Sequence, residues 1–280
     1  RSSVRSWLYR IATNVCLDML RTPQRRARPM DLGGPVTADS PLAPTLPEHA
    51  WVQPMADDRI LPLEGDPAEL ATARESVRLA FLAALQHLPP RQRAVLILRE
   101  VLRWQATEVA ELLGTSVASV NSALQRARAT LASCDIHAVD PADDPEQQAL
   151  LARYVDAFER YDVTSLVTLL REDVEFSMPP YDMWLSGPDQ VTAWLLGQGF
   201  GCKGSRLVPV AVNGSAAFGS YRLVRHGVHE AFAIQIVEMS GGRISGLHNF
   251  IDPALFAELG LPPRLEGEEV GHADQHEQLA

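Results

Sequence analysis

Ser119, Ser122, Gln125, Arg126 and Arg128 crowd into one short stretch of this chain, with Ser116 and Asn121 beside them. On a helix, hydroxyl, amide and guanidinium groups at this spacing form an outward band. Such a band can hydrogen-bond to base edges in a DNA major groove and pair with the phosphates flanking it. The chemistry needs a helix held out from a second one, and the surrounding residues supply the means. Val109, Leu113, Val120 and Leu124 recur at helical spacing as the inward stripe. Ala110 is small enough for two helices to cross closely. Gly114 accepts the positive φ of a tight turn, and Ser116 stands where an N-cap opens the second helix. Ala106 to Leu131 therefore reads as a helix-turn-helix.

Pro89-Pro90 stops one helix and starts the next, since proline is tolerated in a first turn. With Ala94, Val95, Leu98, Val101 and Leu102 at helical spacing, helices are predicted near 74–88, 91–102, 106–113 and 117–131. At the amino terminus, Trp7, Leu8, Ile11, Val15, Leu17 and Leu20 share one broad helical face. Arg1, Arg5, Arg10, Arg21, Arg25, Arg26 and Arg28 are opposed there only by Asp18. That excess suits phosphate contact, with Arg5, Arg10, Asn14 and Arg21 as the candidate contacts and Trp7 as a core anchor.

The run LPPRQRAVLILREVL, the helix-turn-helix and the closing Arg126-Ala127-Arg128 resemble region 4 of the sigma-70 family, in particular the extracytoplasmic-function (ECF) sigma factors. RSSVRSWLYRIATNVCLDMLR resembles the end of region 2 in the same family. The resemblance implies core RNA polymerase and promoter DNA as partners. It implies that the helix over 117–131 reads the −35 element and that the amino-terminal helix engages the −10 element. Where family members often carry Lys and Arg, this chain has Asn121 and Ala123, so fewer positive charges are expected to face DNA. The chain enters the region 2 pattern near its end and does not start with Met, which reads as a fragment of a longer protein.

The formal net charge of −10 argues against nucleic acid only as an average. Residues 71–134 carry eight Arg against four Glu, and the acidic residues gather in the linkers and the carboxy-terminal half. Cys16, Cys134 and Cys202 are widely spaced, which fits a reducing cytoplasm and argues against a disulfide framework or a zinc site. No cofactor or metal is expected, and no apolar run is long enough to span a bilayer. The chain divides into a partial region 2 (1–22), a proline-rich acidic linker (23–70), a region 4 unit (71–134), a second linker (135–144), an α+β unit (145–262) and a tail (263–280). The first linker is expected to be extended or disordered, and the resemblance implies that it lies in the RNA-exit path of polymerase.

From residue 147 the pattern changes. Helices are predicted over 147–161, 163–170 and 187–197, with strands at 174–178, 205–213, 215–224, 229–239 and 243–251. Asn213-Gly214 and Gly241-Gly242 are tight-turn dipeptides. Tyr154-Val-Asp-Ala-Phe-Glu-Arg-Tyr-Asp162, Leu169-Leu-Arg-Glu-Asp-Val-Glu-Phe176 and this order of elements resemble the SnoaL-like family of the nuclear-transport-factor-2-like superfamily. The resemblance implies a curved sheet wrapped over helices around an apolar cavity, which in the enzymes holds an Asp and a His. The whole chain is thus expected to be multidomain, with all-α helix-turn-helix modules followed by an α+β cone. Tyr154, Phe158, Phe176, Trp184, Trp194, Tyr221, His248, Phe250 and Asp252 are the candidates for lining the cavity; alternation puts His248, Phe250 and Asp252 on one face. The loop Pro179–Trp184 suits a lid or a docking surface.

Three arrangements fit. One is an ECF sigma factor regulated in cis by its cone unit, with or without a small ligand, and with no catalysis. Another is a cone-fold enzyme carrying a DNA-binding module. The third is a polymerase-independent repressor, which would want a dimerisation helix, and no heptad seam is present.

Overall fold

The computed structural model describes residues 26–61, 66, 74, 88–101, 104–133, 145–225 and 227–266. The expectations for residues 1–22, for all but the ends of the 74–88 helix, for the second linker and for the end of the tail fall outside these residues.

The helical unit begins at α3 (Pro90–Leu96), with proline in its first turn, and runs on as a π-turn over Ile97–Val101. The wider turn lets the Trp104 N–H reach the Leu98 carbonyl at 2.9 Å. A continuous helix over 91–102 was expected; the π-turn interrupts it. α4 (Ala106–Leu112) and α5 (Val117–Ser133) follow. Between them Gly114 has φ 58°, and Thr115 N–H and Gly114 N–H donate back to the Ala110 and Glu111 carbonyls. This paired closure of a helix end needs a residue at positive φ, which glycine supplies without strain. Ser116 then caps α5, its Oγ accepting from the Ser119 N–H at 3.2 Å. Val109 and Val120 are completely buried, and Ala110, Leu124 and Ala127 are buried beside them. Each valine contributes about 1.5–3 kcal/mol by burial.

The cone unit opens with α6 (Pro145–Glu159) and α7 (Val163–Val167). Strand β1 (Leu170–Ser177) starts where helix was expected to persist, and β2 (Trp184–Ser186), which alternation did not reveal, pairs with it. Helix α8 (Pro188–Leu196) leads to β3 (Arg206–Val212), β4 (Ser215–Arg225), β5 (Val228–Ser240) and β6 (Arg243–Phe250). A short helix, α9 (Ala254–Glu258), and β7 (Arg264–Glu266) close the described chain. The sheet order is β2-β1-β6-β5-β4-β3, with β7 on β5. Only β1 and β6 run parallel; the other pairs are antiparallel. Both tight-turn dipeptides close hairpins with all four residues at positive φ, the backbone of a type I′ turn.

The sheet is buried on both faces. Its inner face packs Phe176, Phe218, Val237 and Leu247 against Tyr154 and Phe158 of α6 and Trp194 of α8. Its outer face packs Tyr221, Ile234, Ile236 and Phe250 against α9 and Val52 of the first linker.

That linker is the main departure from expectation. Over 26–61 it is an ordered strap laid on the cone, with α1 (Pro29–Leu32), a 3-10 turn at Glu48–Ala50 and α2 (Asp57–Ile60). Val36 N–H donates to the Trp184 carbonyl (2.9 Å), Trp184 Nε1 to the Gly33 carbonyl (2.8 Å) and Leu46 N–H to the Pro180 carbonyl (2.9 Å). The Pro179–Trp184 loop is therefore a docking edge for the strap. Ala38 enters the inner core, and Trp51 is buried to 1% exposure. The strap escapes prediction because its apolar residues dock one at a time on irregular backbone, whose polar groups are satisfied by the cone and not by a periodic element.

Candidate functional site

On α5, the residues facing the core are Val120, Ala123, Leu124 and Ala127. The opposite face carries Ser119, Asn121, Ser122, Gln125, Arg126 and Arg128, all exposed. Helical geometry puts Ser122 and Gln125 at the centre of that face, with Ala118 and Ala129, and Arg126 and Asn121 to either side. Arg126 is steadied by donating to Ser122 Oγ at 2.7 Å, one turn back. Ser116 is also exposed, but its Oγ is taken up by the cap. Ala123 is only 5% exposed. A small residue there is a packing requirement, so its replacement of a basic residue removes nothing from the outward face.

Arg128 is not free on the surface. It donates to Glu100 Oε1 at 2.8 Å, with side chains 61% and 36% exposed. The sequence showed Arg128 but not its partner, because Glu100 comes from the π-turn and its orientation depends on the extra residue in that turn. Arg5, Arg10, Asn14 and Arg21 lie outside the described residues.

In the cone, the expected cavity residues separate. Phe158, Phe176 and Trp194 line an inner cavity of about 260 Å³ together with Met178, Phe232 and Arg222. Tyr154 stands behind it, its O–H donating to Gln235 Oε1 at 3.0 Å; Gln235, Asn249 and Gln198 add polar groups to the lining. Burial pushes the Tyr154 phenol's pKa up. Trp184 is turned to the strap.

Tyr221, His248 and Phe250 belong to the other side of the sheet. Tyr221 packs edge-on against Phe256, and Phe250 and Asp252 line a shallower pocket of about 240 Å³ between strap and sheet, with Trp51 on its far wall. Asp252 lies past the strand end and accepts from the Ala254 N–H at 2.9 Å. His248 and Phe250 do share a face, as alternation requires, but it is the outer one. β6 is buried along nearly its whole length on both sides. Alternation therefore fixes which residues go together and leaves open which set faces inward.

His248 sits in a polar line. Ser177 Oγ and His248 Nδ1 share a hydrogen bond of 2.9 Å, and His248 Nε2 lies 3.6 Å from Glu238 Oε2. Gly246 makes room for it, since a Cβ there would stand 2.7 Å from His248 Nε2. Serine, histidine and carboxylate in a row invite comparison with a nucleophile relay. Here Ser177 is 1% exposed and all three are buried, and neither cavity is lined by Ser177 or His248. The strap adds Arg28. Burial draws the Arg28 pKa down, but Asp31, Glu238 and Glu175 more than offset this, so it lies above the usual value. The arrangement is a buried polar line in the sheet with the half-buried Arg28 of the strap, paired with Asp31, in its electrostatic reach.

Among the described residues there is no group of His, Cys, Asp and Glu that could hold a metal ion, and no helix is long and apolar enough to cross a membrane.

A family model described as sigma-70, region 4 matches residues 78–131. The chain is 43% identical to the ECF RNA polymerase sigma factor SigG of Mycobacterium tuberculosis over 271 residues, which is 95% of this chain and 72% of SigG. It is 29% identical to SigJ of the same organism over 226 residues, 75% of this chain and 70% of that one. The crystal structure of SigJ superposes with a TM-score of 0.59 at 24% identity, covering 94% of this chain and 85% of SigJ.

Proposed function

The chain belongs to the ECF RNA polymerase sigma factors, which direct core polymerase to promoters, and from that premise we propose that its SnoaL-like cone sets transcription in cis by holding or releasing the strap. In this reading the outward face of α5 reads the −35 element, with Gln125 and Arg126 at base edges and Arg128 at phosphate. Arg5, Arg10, Asn14 and Arg21 serve the −10 element.

The observation that carries the proposal is the strap itself. The segment joining the two DNA-reading units is hydrogen-bonded to the cone from Val36 to Asp57. A regulatory domain acts only through interactions that differ between two states. A strap bound to the cone in one state and free in the other supplies that difference. Three of the linker's acidic residues are already occupied: Asp31 pairs with Arg28, Asp39 accepts from Thr37 and Asp57 accepts from the Gly214 N–H.

What supports a regulatory cone over an enzymatic one is the lining of its inner cavity. Among the described residues no carboxylate and no imidazole borders it, so general acid–base chemistry of the expected Asp–His kind has no group to use. The test is run-off transcription with core polymerase, using the protein with and without residues 145–280. Removing the cone changes the level of transcript and leaves promoter choice as it was. A changed promoter choice overturns the regulatory reading.

A further inference from the structure

The inner cavity holds an unpaired cation. Arg222, on β4, lines it with its guanidinium carbon 3.4 Å from the centroid of the Phe232 ring. Its NH2 group makes a long contact of 3.5 Å with Cys202 Sγ, and its Nε is buried with no hydrogen-bond partner. Among the described residues no carboxylate lies within ion-pairing distance. Arg222 is half-buried, and a guanidinium stacked on an aromatic ring is pre-organised to receive a carboxylate on its free edge. The remaining walls are aromatic and aliphatic: Phe158, Phe176, Trp194 and Met178. Three amides, Gln198, Gln235 and Asn249, add directional polar groups.

We propose that this cavity is a binding site for a small aromatic carboxylic acid, whose carboxylate pairs with Arg222 while its ring lies among Phe158, Phe176 and Trp194. At about 260 Å³ the space falls just below the ~300–1,000 Å³ of drug-sized pockets, which restricts the ligand to one or two rings. A neutral ligand leaves Arg222 unpaired, and a phosphate wastes the apolar walls. The site also touches the strap: Leu42 lies on its rim, and Gln198, another lining residue, donates to the Ala38 and Ser40 carbonyls at 2.8 and 3.0 Å. A ligand that moves Gln198 changes how firmly the strap is held. This last consequence rests on the regulatory reading above, whereas binding itself does not.

The test is calorimetric titration of the 280-residue chain with benzoate and phenylacetate, and with benzamide and phenylacetamide as neutral matches. The acids bind at least tenfold more tightly than their amides. Arg222→Gln lowers acid affinity tenfold or more and leaves amide affinity within twofold. Arg222→Lys keeps the charge, loses the stacked fork and falls between. Circular dichroism melting of each variant separates loss of binding from loss of fold, and a Phe158→Trp variant, which narrows the cavity while sparing Arg222, weakens acids and amides alike. Acids that do not bind at millimolar concentration, amides that match them, or a folded Arg222→Gln that binds acids as the unaltered chain does, each overturn the proposal. Such a failure leaves the transcription test of the strap untouched.

Discussion

Met55 and Asn213, 158 residues apart in the chain, clasp each other through two hydrogen bonds. The Met55 N–H donates to Asn213 Oδ1 at 2.8 Å, and the Asn213 N–H donates to the Met55 carbonyl at 3.1 Å. One residue thus does two tasks. Asn213 opens the β3–β4 turn at φ 51°, and its amide fastens the strap to the end of that hairpin. Asp57 secures the next residue along, through the Gly214 N–H at 2.8 Å.

The two tasks can be separated. Asn213→Gly keeps the positive φ and so the hairpin, but loses the side-chain acceptor for Met55. Leaving that N–H without its partner costs roughly 1–3 kcal/mol. Hydrogen exchange speeds up across 51–60 while β3 and β4 stay protected. Equal loss of protection in both places would mean that the hairpin, not the clasp, had failed.

Trp51 carries the apolar side of the same attachment. Its indole is almost wholly buried, and Nε1 donates to the Leu46 carbonyl at 3.4 Å. Trp51→Ala removes about 3–5 kcal/mol of local packing. Because the core of the sheet is built from other residues, the cone stays folded and the strap becomes the first site of proteolytic cleavage. A fall in the cone's own melting transition as large as the loss of strap protection would contradict the separation.

Much of this architecture was readable beforehand, for physical reasons that also explain what was not. Val109 on α4 and Val120 and Leu124 on α5 sit on the facing sides of two helices broken at Gly114, so the helix-turn-helix follows from spacing. Asn213-Gly214 and Gly241-Gly242 adopt the positive-φ backbone that these dipeptides favour in two-residue hairpins. The strap has no period, and its partners lie more than a hundred residues away, at Trp184, Gln190 and Asn213. The cavity was misjudged for a different reason: with apolar residues on both faces of β6, His248 and Asn249 were equally good candidates for the inside. Arg222 gave no signal, because the sequence does not show that Glu230, opposite it across the β4–β5 ladder, pairs with Arg264 instead.

On α5, replacing Gln125 and Arg126 with Ala weakens discrimination among −35 sequences by about 1–3 kcal/mol for each bidentate base pairing removed. The exposed face of α5 contributes little to folding, so the melting temperature holds. Binding measured across a panel of single-base variants distinguishes the outcomes. Uniform weakening at every sequence would assign these side chains to phosphates and remove them from base readout.

Glu100 offers the opposite experiment. Its ion pair with Arg128 is exposed and contributes at most about 1 kcal/mol to stability, yet it occupies a guanidinium beside the outward face of α5 proposed to read the −35 element. Glu100→Gln frees Arg128 for phosphate. Affinity rises for specific and non-specific DNA alike, and the slope of log affinity against log salt steepens by about 0.9. An unchanged slope would mean that Arg128 does not reach the backbone.

Alkaline pH tests the helix packing of the cone. Burial, with a smaller contribution from Cys202, pushes the Tyr161 phenol up to about 12 against the opposing pull of Arg222, and burial also raises Tyr154 and Tyr221. The Tyr161 O–H is oriented toward the Leu195 carbonyl at 2.6 Å and the Gly199 carbonyl at 3.1 Å. In the unfolded chain these phenols ionise near the ordinary value of about 10. The unfolded state therefore releases protons first as pH rises. The stability linked to Tyr161 is complete below about pH 10 and is lost as pH climbs through about 12. Denaturant titrations at successive pH values show this decline, and phenolate absorbance from Tyr154 and Tyr161 appears together with the loss of the cone's circular dichroism. Phenolates forming at pH 10 in a cone that is still folded would show that these hydroxyls reach water.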